Sequence, residues 1–207
     1  NYQPPKGSTC TVKLIDLLGV LSGYTLPGVM EAAVTAVGPT NYWPLNESTG
    51  STRAADLVGD LDGSVVDEPT FGEAELKVGL GTSVAFDGVD DRIQISRARI
   101  IPDPSNFSVV AVINTEIPAE AFSAHIIILD IDGNDSSQST FASLYVGTGG
   151  NVEWMSKVPG SFIDYAVSPE TVDDGEPHIV FVQSVNPGPG DTGLAVDSTT
   201  TTNSGFA

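Results

Sequence analysis

Phe107-Ser-Val-Val-Ala-Val-Ile-Asn114 is the stretch that decides the fold. Phe107, Val109, Ala111 and Ile113 fall on one side, and Ser108, Val110, Val112 and Asn114 on the other, the period of a β-strand. Both sets are largely apolar, so the strand is expected to be central and covered on both faces. The same period of two recurs outward from it, at 42–45, 83–86, 92–96, 125–129, 141–146, 152–156, 162–166, 178–185 and 194–196. Turn residues separate these runs: Asp87-Gly88, Pro102-Asp103-Pro104, Asp132-Gly133-Asn134, the glycines from 147 to 150, Asp174-Gly175 and the Pro/Gly run 187–190. Many short strands with no long helix between them predict a sandwich or jelly roll from residue 41 onward.

Residues 1–40 have a different texture. A strand-like run at 9–14 leads into Leu14, Leu17, Leu18 and Leu21, an apolar stripe at helical spacing. Thr25 reads as an N-cap with Pro27 in the first turn, and Leu26, Met30, Ala33 and Val37 form a second stripe ended by Gly38-Pro39. A strand and two short helices are expected here, too few to enclose a core alone.

The 207 residues hold 27 Asp plus Glu against eight Lys plus Arg, a formal net charge of -19. That excludes a surface that tracks nucleic-acid phosphates and argues against docking on anionic lipid. Cys10 is the one cysteine, so neither an internal disulfide nor a cysteine zinc site is expected. The weakly charged stretch 17–45 is broken by Gly19, Gly23, Pro27, Gly28 and Gly38-Pro39, which argues against a membrane span. No basic stretch with an apolar core opens the chain, and no signal peptide is expected. Both termini read as cuts through something longer, since Asn1 stands where a Met would and a Ser/Thr run comes just before the end.

Three segments in succession carry a resemblance. They are Tyr42-Trp-Pro-Leu-Asn-Glu47 with Asp56, Gly59 and Gly63; Phe86-Asp-Gly-Val-Asp-Asp91 leading into Ile93; and Asp174-Gly-Glu-Pro-His178 followed by an apolar strand and Leu194-Ala-Val-Asp197. This succession resembles the concanavalin A-like, laminin-G-like jelly-roll superfamily over about residues 41–207. The resemblance implies a mainly β fold, a concanavalin A-like jelly-roll β-sandwich preceded by a short strand and helix pair. It implies a structural role for Asp87, Gly88, Asp90, Asp91 and His178. Asp87-Gly88 suits a tight turn, and Asp90 and Asp91 can bond free backbone N–H groups. Such domains continue with further strands after the Leu-x-Val-Asp strand, and here 198–207 reads as lacking them, so the domain is expected to be incomplete. Val12–Leu21 resembles the end of a β domain in minor tail proteins of tailed bacteriophages, where a helical connector leads into a lectin-like module.

Catalytic constellations do not assemble in the sequence. A glycosidase needs carboxylates about 5–10 Å apart, and the nearest pairs, Asp130-Ile-Asp132 and Glu73-Ala-Glu75, lack a third acid. No Gly-x-Ser-x-Gly elbow or phosphate loop occurs. Asp130, Asp132, Asn134 and Asp135 offer hard oxygen donors for Ca²⁺, or else form an Asx-rich turn after strand 125–129. Tyr145 and Trp154 are candidates for an aromatic sugar platform on one sheet face with Asn151 and Glu153 nearby, with core packing as the alternative for Trp154. The combined expectation is a non-catalytic structural and glycan-binding module of a virion tail, in a cyclic homo-oligomer with other tail subunits and touching a host-surface glycan. A secreted or cell-surface adhesin module, or a glycan-cleaving enzyme, are the alternatives.

Overall fold

The computed structural model describes residues 29–95, 106–115, 126–132, 141–157, 164–185, 192–197 and 199–202. The strand at 9–14, the stripe Leu14/Leu17/Leu18/Leu21, Thr25 and Pro27 lie outside them, as do Asn134 and Asp135. One helix, α1 (Val29–Ala36), opens the described chain and is far too short to cross a membrane. Thirteen strands follow among the described residues: β1 (Arg53–Ala54), β2 (Gly63–Val66), β3 (Thr70–Glu73), β4 (Ser83–Ala85), β5 (Arg92–Ile95), β6 (Asn106–Ile113), β7 (Ile126–Asp132), β8 (Phe141–Val146), β9 (Asn151–Lys157), β10 (Asp164–Thr171), β11 (His178–Val185), β12 (Thr192–Val196) and β13 (Thr199–Thr202). They pair antiparallel into sheets of order β10-β9-β8-β7, β13-β12-β11-β6, β1-β2-β5 and β3-β4.

The two four-stranded sheets share one core. Leu144 pairs with Trp154, and Trp154 with Ala166; Val109 pairs with Val182, and Val182 with Leu194. Cross-strand partners share a face, and these two rows meet: Leu144, Trp154, Val182 and Leu194 are all fully buried in one cluster, with Phe107, Val109 and Ile113 packed against it. The chain is therefore mainly β, with several antiparallel sheets built as a β-sandwich.

Five expectations change. Residues 42–45 are irregular rather than a strand, because Pro44 removes a donor, Leu45 has φ +56° and the Tyr42 backbone is bonded to Asp56 and Leu57 instead. Strands β2 and β3, rich in Gly and very short, escape a search for alternation. After β12 the chain does not run out of strands: Asp197 takes φ +51°, Val196 pairs with Thr199, and the Thr run 199–202 is β13. Threonine is β-branched, so a run that reads as a low-complexity tail is good strand material. Asp130 and Asp132 lie not in a turn but in β7, opposite Ser143 and Phe141. Finally, among the described residues β6 is the terminal strand of its sheet rather than a central one, and Val110 is 60% exposed.

Candidate functional site

The motif residues hold backbone. Asp56 Oδ1 accepts from the N–H groups of Tyr42 (2.9 Å), Gly59 (3.0 Å) and Val58 (3.1 Å). Its Oδ2 accepts from Asn41 Nδ2 (2.6 Å) and the Leu61 N–H (3.3 Å). Burial alone would raise its pKa, but these donors stabilise the anion and hold it down to about 2. Trp43 Nε1 donates to the Leu61 carbonyl at 2.8 Å, fastening the same loop from the other side. Gly59 is required here, since a Cβ would stand 2.6 Å from Asp56 Oδ2.

In the β4–β5 turn, Asp87 Oδ1 accepts from the Val89 N–H (2.8 Å) and Asp91 Oδ2 from the Asp87 N–H (2.9 Å), around Gly88 at φ +75°. The Val89 bond is the main reason that the Asp87 carboxyl titrates below its ordinary range. Asp87, Asp90 and Asp91 bring carboxylate oxygens within 4.8 Å of one another. Two of those carboxylates, Asp87 and Asp91, accept from the turn's own N–H groups; this was expected of Asp91 and Asp90, but Asp90 enters through its N–H, which donates to Asp87 Oδ1 at 3.4 Å.

His178 opens β11 between two carboxylates. Its Nδ1 lies 2.8 Å from Asp197 Oδ2 and its Nε2 3.0 Å from Asp174 Oδ1. Asp197 also accepts from the Ile179 N–H at 3.0 Å, and the Asp197 N–H donates to the Ile179 carbonyl at 2.8 Å. Partial burial disfavours the charged ring, yet the two carboxylates overcome it and raise the His178 pKa above 6.5. Asp197, held first by the Ile179 N–H and then by His178, and Asp174, held first by His178, titrate below 3.8. A raised imidazole contributes stability below its unfolded value of about 6.5, lost as pH rises through the folded value. Lowered carboxylates contribute above about 3.8, lost as pH falls. Stability should therefore plateau at mildly acidic pH, and His178→Gln, which removes the titrating ring, should flatten the alkaline limb. Urea midpoints measured across pH on both proteins check this; identical alkaline limbs would refute it.

The sugar-platform candidates separate. Tyr145 pairs with Glu153, whereas Trp154 pairs with Leu144, so the two aromatic rings lie on opposite faces of the sheet. Trp154 is fully buried, its ring 5.6 Å from that of Phe107 at an interplanar angle of 55°, and is core rather than platform. The Asn151 amide donates to the carbonyls of Ser168 (3.0 Å) and Glu170 (3.3 Å), bridging the irregularity where β10 leaves register with β9. Tyr145 itself is only 7% exposed.

The face of β10-β9-β8-β7 away from the core holds a group only partly foreseen. Tyr165 Oη donates to Glu153 Oε2 at 2.7 Å, and Tyr145 hydrogen-bonds the same carboxylate. Burial first, and Glu153 second, raise both phenols, Tyr165 to about 12. Gly147 makes room for this carboxylate: a Cβ there would stand 2.7 Å from Glu153 Cδ. Register sets Ser143 and Met155 beside the cluster, with Asp130 opposite Ser143. Tyr165 could have been found from the sequence only by knowing that β10 pairs with β9. Of the calcium candidates, Asp130 and Asp132 are strand residues and Asn134 and Asp135 lie outside the described residues. Comparison with known proteins returned no family model, no curated protein and no solved structure similar to this chain.

Proposed function

We propose that the chain is a non-catalytic, lectin-like module of the concanavalin A-like jelly-roll type, a structural part of a phage tail tip that touches glycans on the host surface and assembles with copies of itself and other tail subunits. The observation that carries this reading is the division of labour among polar groups. Trp43, Asp56, Asp87, Asp91 and His178 fasten loops and turns. Tyr145, Glu153 and Tyr165 instead cluster on the face of a rigid sheet away from the core. A carboxylate fixed between two phenols is an acceptor for vicinal sugar hydroxyls, with the half-buried Tyr165 ring beside it for the apolar side of a pyranose.

The test is a panel of bacterial envelope polysaccharides screened against the purified chain, with calorimetry on any glycan that binds. Glu153→Gln and Tyr165→Phe should each weaken binding by about tenfold or more. No binding by any glycan at millimolar concentration, or binding unchanged in both variants, would end the glycan reading. Antibodies against the chain should label virion tail tips in electron micrographs; labelling of uninfected cell surfaces would favour the adhesin alternative instead.

A further inference from the structure

His178 is a single ring between two groups that only accept. Its Nδ1 meets Asp197 Oδ2 and its Nε2 meets Asp174 Oδ1. An ionised carboxylate has no proton to give, so both contacts are hydrogen bonds only while both ring nitrogens carry a proton. The neutral ring has one N–H and one bare lone pair. When the ring loses a proton, a lone pair must therefore face one of the two carboxylates, and that contact turns repulsive.

The fold decides which contact fails. Asp197 is pinned to β11 twice over, accepting from the Ile179 N–H at 3.0 Å and donating its own N–H to the Ile179 carbonyl at 2.8 Å. Lys77 also favours the Asp197 anion. Asp174 stands in the loop 172–177 between β10 and β11, with its side chain 52% exposed. Its other bond, from the Glu176 N–H at 2.9 Å, lies inside the loop and moves with it. The loop is moored at its start, where Val172 is fully buried and its N–H donates to the Gly150 carbonyl at 2.8 Å, and the Asp173 carboxylate packs beside Gly150. Beyond that, the Gly175 N–H donates to the Thr115 carbonyl at 3.1 Å. From β6 the ring is opposed by Ile113, with uncharged Asn114 and Thr115 following. The charges that face the ring are thus Asp174 and Asp197, with Lys77 acting through Asp197 and Asp173 and Glu176 elsewhere in the loop.

We infer that His178 is a pH-operated latch on the β10–β11 loop: doubly protonated it fastens Asp174 to Asp197, and on losing a proton it keeps Asp197 through Nδ1–H and lets Asp174 go. Which nitrogen keeps the proton is set by the firmer acceptor. Burial works against the charged ring, but the two carboxylates outweigh it and move its titration above 6.5, while they themselves titrate below 3.8. Both partners therefore stay anionic throughout, and the latch is shut in mild acid and opens as pH rises above 6.5. Residues 174–176 are the part set free. The inference goes beyond the function proposed above and holds whether or not the sheet face takes a glycan.

NMR of the intact, isotope-labelled chain between about pH 5.5 and 9.5 tests it, with the His178 ring assigned apart from His125 through its backbone. Long-range nitrogen–proton spectra should show both ring nitrogens protonated at the acid end and Nδ1–H alone at the alkaline end. Over the same range the Gly175 amide should exchange about tenfold faster than base catalysis accounts for, the loss of one hydrogen bond to a charged group. In Asp174→Asn the side-chain amide accepts from Nε2–H or donates to a bare Nε2, so the ring should titrate at lower pH and the step at Gly175 should vanish. An Nε2–H tautomer at alkaline pH would overturn the inference, as would a ring that keeps one protonation state across the range. Titration of the ring with no step in Gly175 exchange would overturn it as well.

Discussion

Asp56→Asn should lower the unfolding free energy at neutral pH by about 2–3 kcal/mol, although it changes one atom. Both carboxylate oxygens of Asp56 act as acceptors, for Tyr42, Val58 and Gly59 on one side and for Asn41 and Leu61 on the other. An amide has one acceptor oxygen and would turn its NH₂ toward donors, leaving at least two partly buried N–H groups unmatched. For a chain of this size the loss is a fall of about 5–10 °C in melting temperature. The same carboxylate sets an acid limb. Its pKa is about 2 in the fold against 3.8 ordinarily, so its contribution is complete above about 3.8 and is lost as pH falls through about 2. Urea unfolding of both proteins from pH 7 to pH 2 should show curves that converge on acidification. A neutral-pH loss below about 0.5 kcal/mol would show that the loop does not depend on Asp56.

Trp154→Ala should cost about 3–5 kcal/mol, since it empties the largest fully buried side chain of the core and removes the contact with Phe107. Trp154→Phe should cost much less, about 1–2 kcal/mol. It loses volume, but it also removes the indole N–H, which finds no acceptor among the described residues. Thermal unfolding of the two variants gives the order directly. On a sugar platform the outcome would be reversed, with stability kept and glycan affinity lost in Trp154→Ala. Near-native stability in that variant would therefore refute the core assignment.

Alternation alone was enough to mark 141–146, 152–156, 178–185 and 194–196 as strands, because a buried face must be apolar at every second residue. It marked 107–114 as well, and Asp87-Gly88 as the turn before β5, since glycine takes positive φ without strain. Asp87 and Asp91 were legible as scaffolding because their motif places an acceptor beside free N–H groups within a few residues; a structural His178 was implied only by the resemblance, since its partner Asp197 stands 19 residues along the chain. What needed the tertiary structure depends on pairing across sequence distance. Tyr145 and Trp154 are each sound binding candidates in one dimension. Only the register of β8 with β9, Leu144 opposite Trp154 and Tyr145 opposite Glu153, sends them to opposite sides. Tyr165 joins Glu153 only because β10 lies beside β9, twelve residues away along the chain. Asp56 is one acid among 27 until Asn41, Tyr42 and Leu61 converge on it. The sequence by itself determined the class of fold, since a period of two is local physics repeated along the chain. Tertiary structure decided which apolar face is core and which is bare, because a strand's pattern states that a face is to be covered and not by what.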